Sequence, residues 1–181
     1  AELAAEKSTH TTGVPVSMCC GNSDGKLIPL DIKQINEMVS EACLNLKDVE
    51  PALVVEQAVR DLYNGIPCTE VYKALILSAR SLIETEPAYN YVTARLQLDL
   101  VRAEVLGERV SHAQMDEHYV EYFPRYIKMG IDAELLDSRL AQFDLSKLAA
   151  ALLKERDFQF GYLGIQTLYD RYFLHIEERR I

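Results

Sequence analysis

The run that most constrains what this chain can fold into is residues 157–174, Asp-Phe-Gln-Phe-Gly-Tyr-Leu-Gly-Ile-Gln-Thr-Leu-Tyr-Asp-Arg-Tyr-Phe-Leu. Phe158, Tyr162, Ile165, Tyr169 and Tyr172 recur at steps of four and three, which predicts one side of an α-helix. Gly161 and Gly164 lower its helix propensity, so its stability has to come from a neighbour packed close over the glycines and from the aromatic edge. Asp157 is placed to cap its start. Tyr172, Phe173, Leu174, His175 and Ile176 then turn strand-like. The chain reaches Arg179-Arg180-Ile181 without a turn signal, so the expectation is a last strand with no return partner, as in a chain cut short.

The length of 181 residues suits one ordinary domain or two small ones with a real core. Hydrophobic residues make up 49% and charged residues 26%, the balance of a globular protein. Nineteen basic against twenty-eight acidic residues give a net charge of −9, which disfavours a nucleic acid polymer or an anionic membrane as partner. The sequence contains no membrane-length apolar run and no signal-peptide pattern at its start, which leaves the cytoplasm as the expected location. The cysteines are Cys19, Cys20, Cys43 and Cys68, with no C-x-x-C among them. Cys43 falls in an apolar helix stripe as a small core residue, and disulfides are not expected in that compartment.

Residues 1–15 read as a helix remnant running into a linker. Residues 16–30 carry hairpin punctuation, with Asp24-Gly25 as the turn pair and Pro29 on a sheet edge. Asp31 and Gln34 have capping-box spacing at the start of a helix whose apolar stripe is Ile32, Ile35, Met38, Val39, Ala42, Cys43 and Leu46. A second helix starts at Pro51 and runs to Asn64-Gly65, with Val55, Val59 and Leu62 inward. A third opens at Thr69 and carries Val71, Leu75, Ala79, Leu82 and Ile83. The fourth covers residues 88–106, with Val92, Leu96, Leu100 and Val101 inward and Gly107 as its stop. Ser111 and Gln114 repeat the capping box and Val110 with Met115 the hydrophobic staple; Pro124 predicts a kink or a new start in the next helix. Short helices are expected from Asp132 and Asp144.

Chemistry is sparse. His10, His112, His118 and His175 form no ligand pair, and there is no nucleophile triad, Walker loop or dinucleotide fingerprint. Neither a catalytic residue nor a metal site is assigned. The one candidate ligand site is the glycine-bearing turn and the positive end of the helix behind it, an arrangement that can hold phosphates. Lys26 is the only base near it, and Asp24 and Asp31 bring negative charge.

The run from Arg156 through Leu174 resembles the N-terminal helical region of the large (α) subunit of class I ribonucleoside-diphosphate reductase, which in that family precedes a ten-stranded catalytic barrel. The resemblance extends back through Tyr91-Val-Thr-Ala-Arg-Leu96 and Asp137-Ser-Arg-Leu-Ala-Gln-Phe-Asp144. Asp24-Gly-Lys-Leu-Ile-Pro-Leu-Asp31 and the four helices behind it resemble an ATP-cone, the allosteric nucleotide module of these enzymes. Working cones carry a Lys-Arg pair before the turn, where this chain has Asn22 and Ser23. Cys68 and Tyr72 stand where the third helix of the family presents nucleotide contacts, and Ala103-Glu104 where the fourth presents a basic one. The resemblance therefore implies a degenerate cone. Its nucleotide-contacting positions would be Lys26, Asp31 and Tyr72.

The fold expected is mainly α: a small N-terminal β-hairpin and four-helix cone-like unit over residues 16–107, then an α-helical domain over residues 108–181 ending in a truncated strand. The resemblance implies an N-terminal regulatory and scaffold part of the reductase, an oxidoreductase whose intact form makes deoxyribonucleotides by radical chemistry. This part would be non-catalytic by itself and hold no cofactor, with ATP or dATP as allosteric ligand of the intact enzyme. The partners implied are the rest of the large subunit with its barrel, a small radical-generating subunit and a second copy in a homo-oligomer. Two alternatives stay open: a working allosteric ATP/dATP-binding module, and a free-standing helical interaction domain that docks through the stripe from Tyr162 to Tyr172.

Overall fold

The computed structural model describes residues 19–21 and 27–181. Strands β1 (Cys19–Gly21) and β2 (Leu27–Pro29) form the expected antiparallel pair, with Cys19 opposite Pro29. The sequence reading did not foresee β3 (Ile66–Pro67), which runs parallel to β1 and makes the sheet order β2-β1-β3. Pro29 thus sits on an edge strand, where its missing N–H leaves no ladder bond open. Asn64 and Gly65 serve this pairing instead of ending a helix: Cys19 N donates to Asn64 Oδ1 at 2.9 Å and Gly65 N to Cys19 O at 2.8 Å. The second helix accordingly stops at Asp61.

Helices α1 (Ile32–Ala42), α2 (Pro51–Asp61), α3 (Cys68–Ser81) and α4 (Tyr89–Leu106) follow. Asp31 caps α1, its carboxylate accepting from Lys33 N at 2.9 Å and Gln34 N at 3.2 Å. Ile35, Met38, Val39, Ala42 and Cys43 are buried with Val54, Ala58, Val71, Leu75, Val92 and Leu96 in one core. Cys68, at the first position of α3, is disulfide-bonded, whereas Cys19 and Cys43 are free thiols. The expectation of no disulfide fails because the β1–β3 pairing brings a cysteine-bearing strand alongside the start of α3.

The fourth helix departs furthest from its sequence reading. Residues 92–100 are buried without a break, so the helix has no solvent face along its middle. One side faces the first core, and the other packs Ala94 and Leu98 against Ile165, Leu168 and Phe173. Gly107 ends the helix in the left-handed conformation, at φ +82°.

Beyond it, Ser111 and Gln114 form the predicted capping box, and α5 (Met115–Asp132) runs through Pro124 as a single helix. Of the two outcomes expected there, a kink or a new start, the new start is absent. Pro124 withholds one N–H from the carbonyl of Val120, and Val120 lies on an exposed face where water can take that carbonyl. No helix begins at Asp132; a 3-10 turn at Ser138–Gln142 is capped by Asp137, and Asp144 caps the short α6 (Leu145–Ala149) as expected.

The aromatic run folds in two pieces. Lys154–Gln159 is a 3-10 turn, and α7 (Tyr162–Arg171) starts only after Gly161, so Asp157 does not cap it. A Cβ on Gly161 would lie 2.6 Å from Asn90 Nδ2, and Asn90 Oδ1 accepts from Tyr162 N at 2.9 Å. This is the close neighbour that the glycine called for, supplied by α4. The chain does return at its end: β4 (His175–Ile176) pairs antiparallel with β5 (Arg179–Arg180) around Glu177, at φ +56°. The unpaired last strand is therefore a closed hairpin. Among the described residues no helix is long and apolar enough to cross a membrane.

Two glycine substitutions separate conformational from steric cost. Gly107→Ala meets nothing within 4 Å, so its penalty should be the left-handed backbone alone, about 1–2 kcal/mol by chemical denaturation. In Gly130→Ala the new Cβ would stand 2.5 Å from Leu136 Cδ1. A loss of about 1–3 kcal/mol is expected, partly restored by adding Leu136→Ala.

Candidate functional site: a buried ionic and aromatic junction on the fourth helix

Arg95, Asp99 and Arg102 occupy one side of α4 at steps of four and three, and all three are buried. A charged stripe at this spacing reads as a solvated face. Here it meets partners from three separate parts of the chain.

Arg95 reaches the end of α1, donating from Nη1 to the carbonyls of Ala42 at 2.9 Å and Leu44 at 2.7 Å. These are carbonyls that a helix end leaves without intrahelical partners. Its guanidinium carbon also lies 4.0 Å from the centroid of the Phe158 ring. The imidazole of His112 stacks on the same ring with centroids 3.8 Å apart. Two groups this close cannot share a face, so Phe158 is clamped between them.

Arg102 donates to Asp99 at 3.3 Å and to Asp157 at 2.8 Å, and the same Asp157 oxygen accepts from the Tyr119 hydroxyl. Asp157 is thus drawn inward by two donors, which is why it is absent from the start of α7. Glu41, in the last turn of α1, accepts from His112 N at 2.7 Å and from Arg109 at 3.0 Å. Burial pushes the Asp99 carboxyl up to about 7, against the pull of Arg102. Burial, with Arg102 adding to it, holds the His112 imidazole below its usual range. The Tyr119 phenol is raised by burial and by its bond to Asp157, and burial lifts the Cys43 thiol to about 11. Both keep their protons at neutral pH, so neither is a ready nucleophile.

Beside the junction lies a mostly apolar cavity of about 300 Å³, walled by Leu98, Val101, Met115, Ile165, Phe173 and Ile181. Arg180 holds the terminal hairpin at its rim: it bonds Glu104 at 2.8 Å and covers the Tyr169 ring at 3.6 Å, while Tyr169 donates to Glu104 at 2.8 Å. Among the described residues no three His, Cys, Asp or Glu side chains are grouped to hold a metal ion.

The positions anticipated for nucleotide contact are not assembled into a site here. Lys26 lies outside the described residues. Asp31 is exposed and engaged with its own helix. Tyr72 is half-buried against the first core, its phenol raised by burial and further by Asp99. Of the aromatic stripe, Ile165 is buried, Tyr162 and Tyr169 are half-buried, and only Tyr172 stands largely in solvent, at 66% exposure. Most of the proposed docking stripe is therefore already packed. The junction itself escaped the sequence reading, because its members are spread from position 41 to 158. The one available signal was the run Tyr91-Val-Thr-Ala-Arg-Leu96, which holds Arg95.

Over 161 residues, 88% of its length, the chain is 37% identical to a protein of Chlamydia muridarum named ribonucleoside-diphosphate reductase subunit alpha. It is 38% identical over 162 residues to the protein of that name in Chlamydia trachomatis, and 35% identical over 153 residues to that of Helicobacter pylori. It spans about 15% of the length of the chlamydial proteins and 18% of the Helicobacter one. The chain is homologous to a part of these subunits. No protein-family model matches it.

The raised Asp99 carboxyl gives a pH test. An acid that holds its proton more tightly folded than unfolded contributes stability that is complete below the usual value of about 3.9 and is lost as pH rises through about 7. Measured from about pH 4 to 7, the wild-type protein should lose stability relative to Asp99→Asn. A flat or rising difference across that window contradicts the assignment.

Proposed function

From this kinship with ribonucleoside-diphosphate reductase alpha subunits, we propose that the chain is an N-terminal regulatory and scaffold part of such a subunit. The intact protein would reduce ribonucleoside diphosphates to deoxyribonucleotides by radical chemistry, in the cytoplasm, with a small radical-generating subunit as partner. The observation that carries the reading is the similarity itself, which takes in nearly nine-tenths of this chain and only a small share of its relatives. The reacting groups belong to the remaining length, and this part is non-catalytic alone.

Within it, residues 16–107 are a cone-like unit whose nucleotide site is degenerate. What supports degeneracy is the state of Asp31. Its carboxylate already accepts from Lys33 N and Gln34 N, the donors that a phosphate at this helix start would use, and it adds like charge. The second reading, a working ATP/dATP module, draws support from the small hairpin followed in the chain by four helices.

Two measurements test these readings. In cells of the source organism, an antibody raised against this chain should detect a polypeptide several times heavier than 20.5 kDa; a band at that mass alone would overturn the proposal. Calorimetric titration with ATP and dATP in the presence of magnesium should give no binding heat up to about 0.5 mM ligand, a concentration that would reveal a dissociation constant near 0.1 mM. Saturable heat, weakened by Tyr72→Phe, would establish the working module instead.

A further inference from the structure

Phe158 is held by two groups, and each is tied to the same place. Arg95 grips the carbonyls of Ala42 and Leu44 while covering one face of the ring. His112 stacks on the other face, and its backbone N–H is held at 2.7 Å by Glu41. Glu41 and Ala42 are the last two residues of α1, and Leu44 directly follows its C-cap, Cys43. Phe158 in turn lies within Lys154–Gln159, from which only Phe160 and Gly161 lead to the first residue of α7.

We propose that the Phe158 clamp is a coupling element, through which the position of the C-terminal end of α1 sets the position of the start of α7. The two helices are anchored in different cores, Val39 and Ala42 in one and Ile165 in the other, although Tyr162 at the start of α7 also packs against the first. A shift of the α1 end has two parallel routes to Phe158, one through the Arg95 guanidinium and one through Glu41 and His112. Neighbouring Asp157, fixed by Arg102 and Tyr119, keeps the turn from yielding independently. Gly161 lies against Asn90, so α7 receives the displacement at its first turn, where Asn90 also holds Tyr162 N. The inference stands on this geometry and does not depend on the reductase reading.

Hydrogen exchange on the full chain, read at single amides, tests it. Glu41 bonds Arg109 and His112, and no hydrogen bond or ion pair joins it to α7. Even so, Glu41→Ala should speed exchange at Ile165 and Leu168 by about ten-fold while Leu75 and Ala79 in α3 stay within about two-fold. In a Phe158→Leu background the same substitution should move Ile165 and Leu168 by less than about two-fold, because the route is already cut. Glu41→Gln keeps an acceptor oxygen and should give a smaller shift of the same pattern, which provides the readout if the alanine variant does not fold. Unchanged exchange in α7 overturns the proposal. Equal acceleration in α3, or acceleration that survives Phe158→Leu, overturns it as well.

Discussion

The structure depends on one buried guanidinium. Among the described residues Arg95 has no carboxylate partner; its charge is met by two main-chain carbonyls and the face of Phe158. Burying a cation this way is tolerable because helix-end carbonyls are strong acceptors that would otherwise need water. The arrangement is incomplete, since among the described residues Arg95 Nε has no hydrogen-bond partner. What it achieves is geometrical. A planar, forked group satisfies an edge and a face at the same time, which a lysine could not do.

The rest of α4 follows from that choice. A helix with cores on both sides would ordinarily be apolar all round. This one keeps Arg95, Gln97, Asp99 and Arg102 buried among its leucines and valines. The Asp99–Arg102–Asp157–Tyr119 series supplies partners on the side toward α5 and the 3-10 turn. Buried pairs of this kind add little net stability, yet removing one member is expensive because its partner is left charged and dry. They select one arrangement of neighbours over others of similar hydrophobic content. Near the end of α4, Glu104 does the same for Tyr169 and Arg180.

The legible parts of the fold were those set by local chemistry. Asp31 as a cap, Gly107 as a stop, the Ser111 box, the edge position of Pro29 and the core stripe of α1 all follow from residues within a few positions of one another. Where the reading failed, the deciding partner was distant. Nothing near Asp157 announces that Arg102 and Tyr119 will take its carboxylate away from α7. Ile66-Pro67 is too short a strand to show a period, and it exists because β1 lies beside it. The final hairpin turns through Glu177-Glu178, which lacks the glycine or asparagine that marks such turns, and it is held by Arg180. The junction around Phe158 was illegible for the same reason: its residues become neighbours only after α1, α4, α5 and the 3-10 turn at Lys154–Gln159 have packed.

The double burial of α4 bears on how such a unit could be moved between proteins. The chain has a natural seam in its sequence at Gly107, where a helix ends and the pattern restarts. In space there is no seam, because Ala94, Leu98 and Arg102 are lined against material from the far side of that glycine. A recombination event that carried residues 19–107 into a new host would transplant one half of a two-sided beam, with an ionic stripe and an apolar patch on its bare flank. Inheritance of this hairpin-and-helix unit should therefore travel with residues 154–173, as a single heritable block larger than its sequence punctuation suggests.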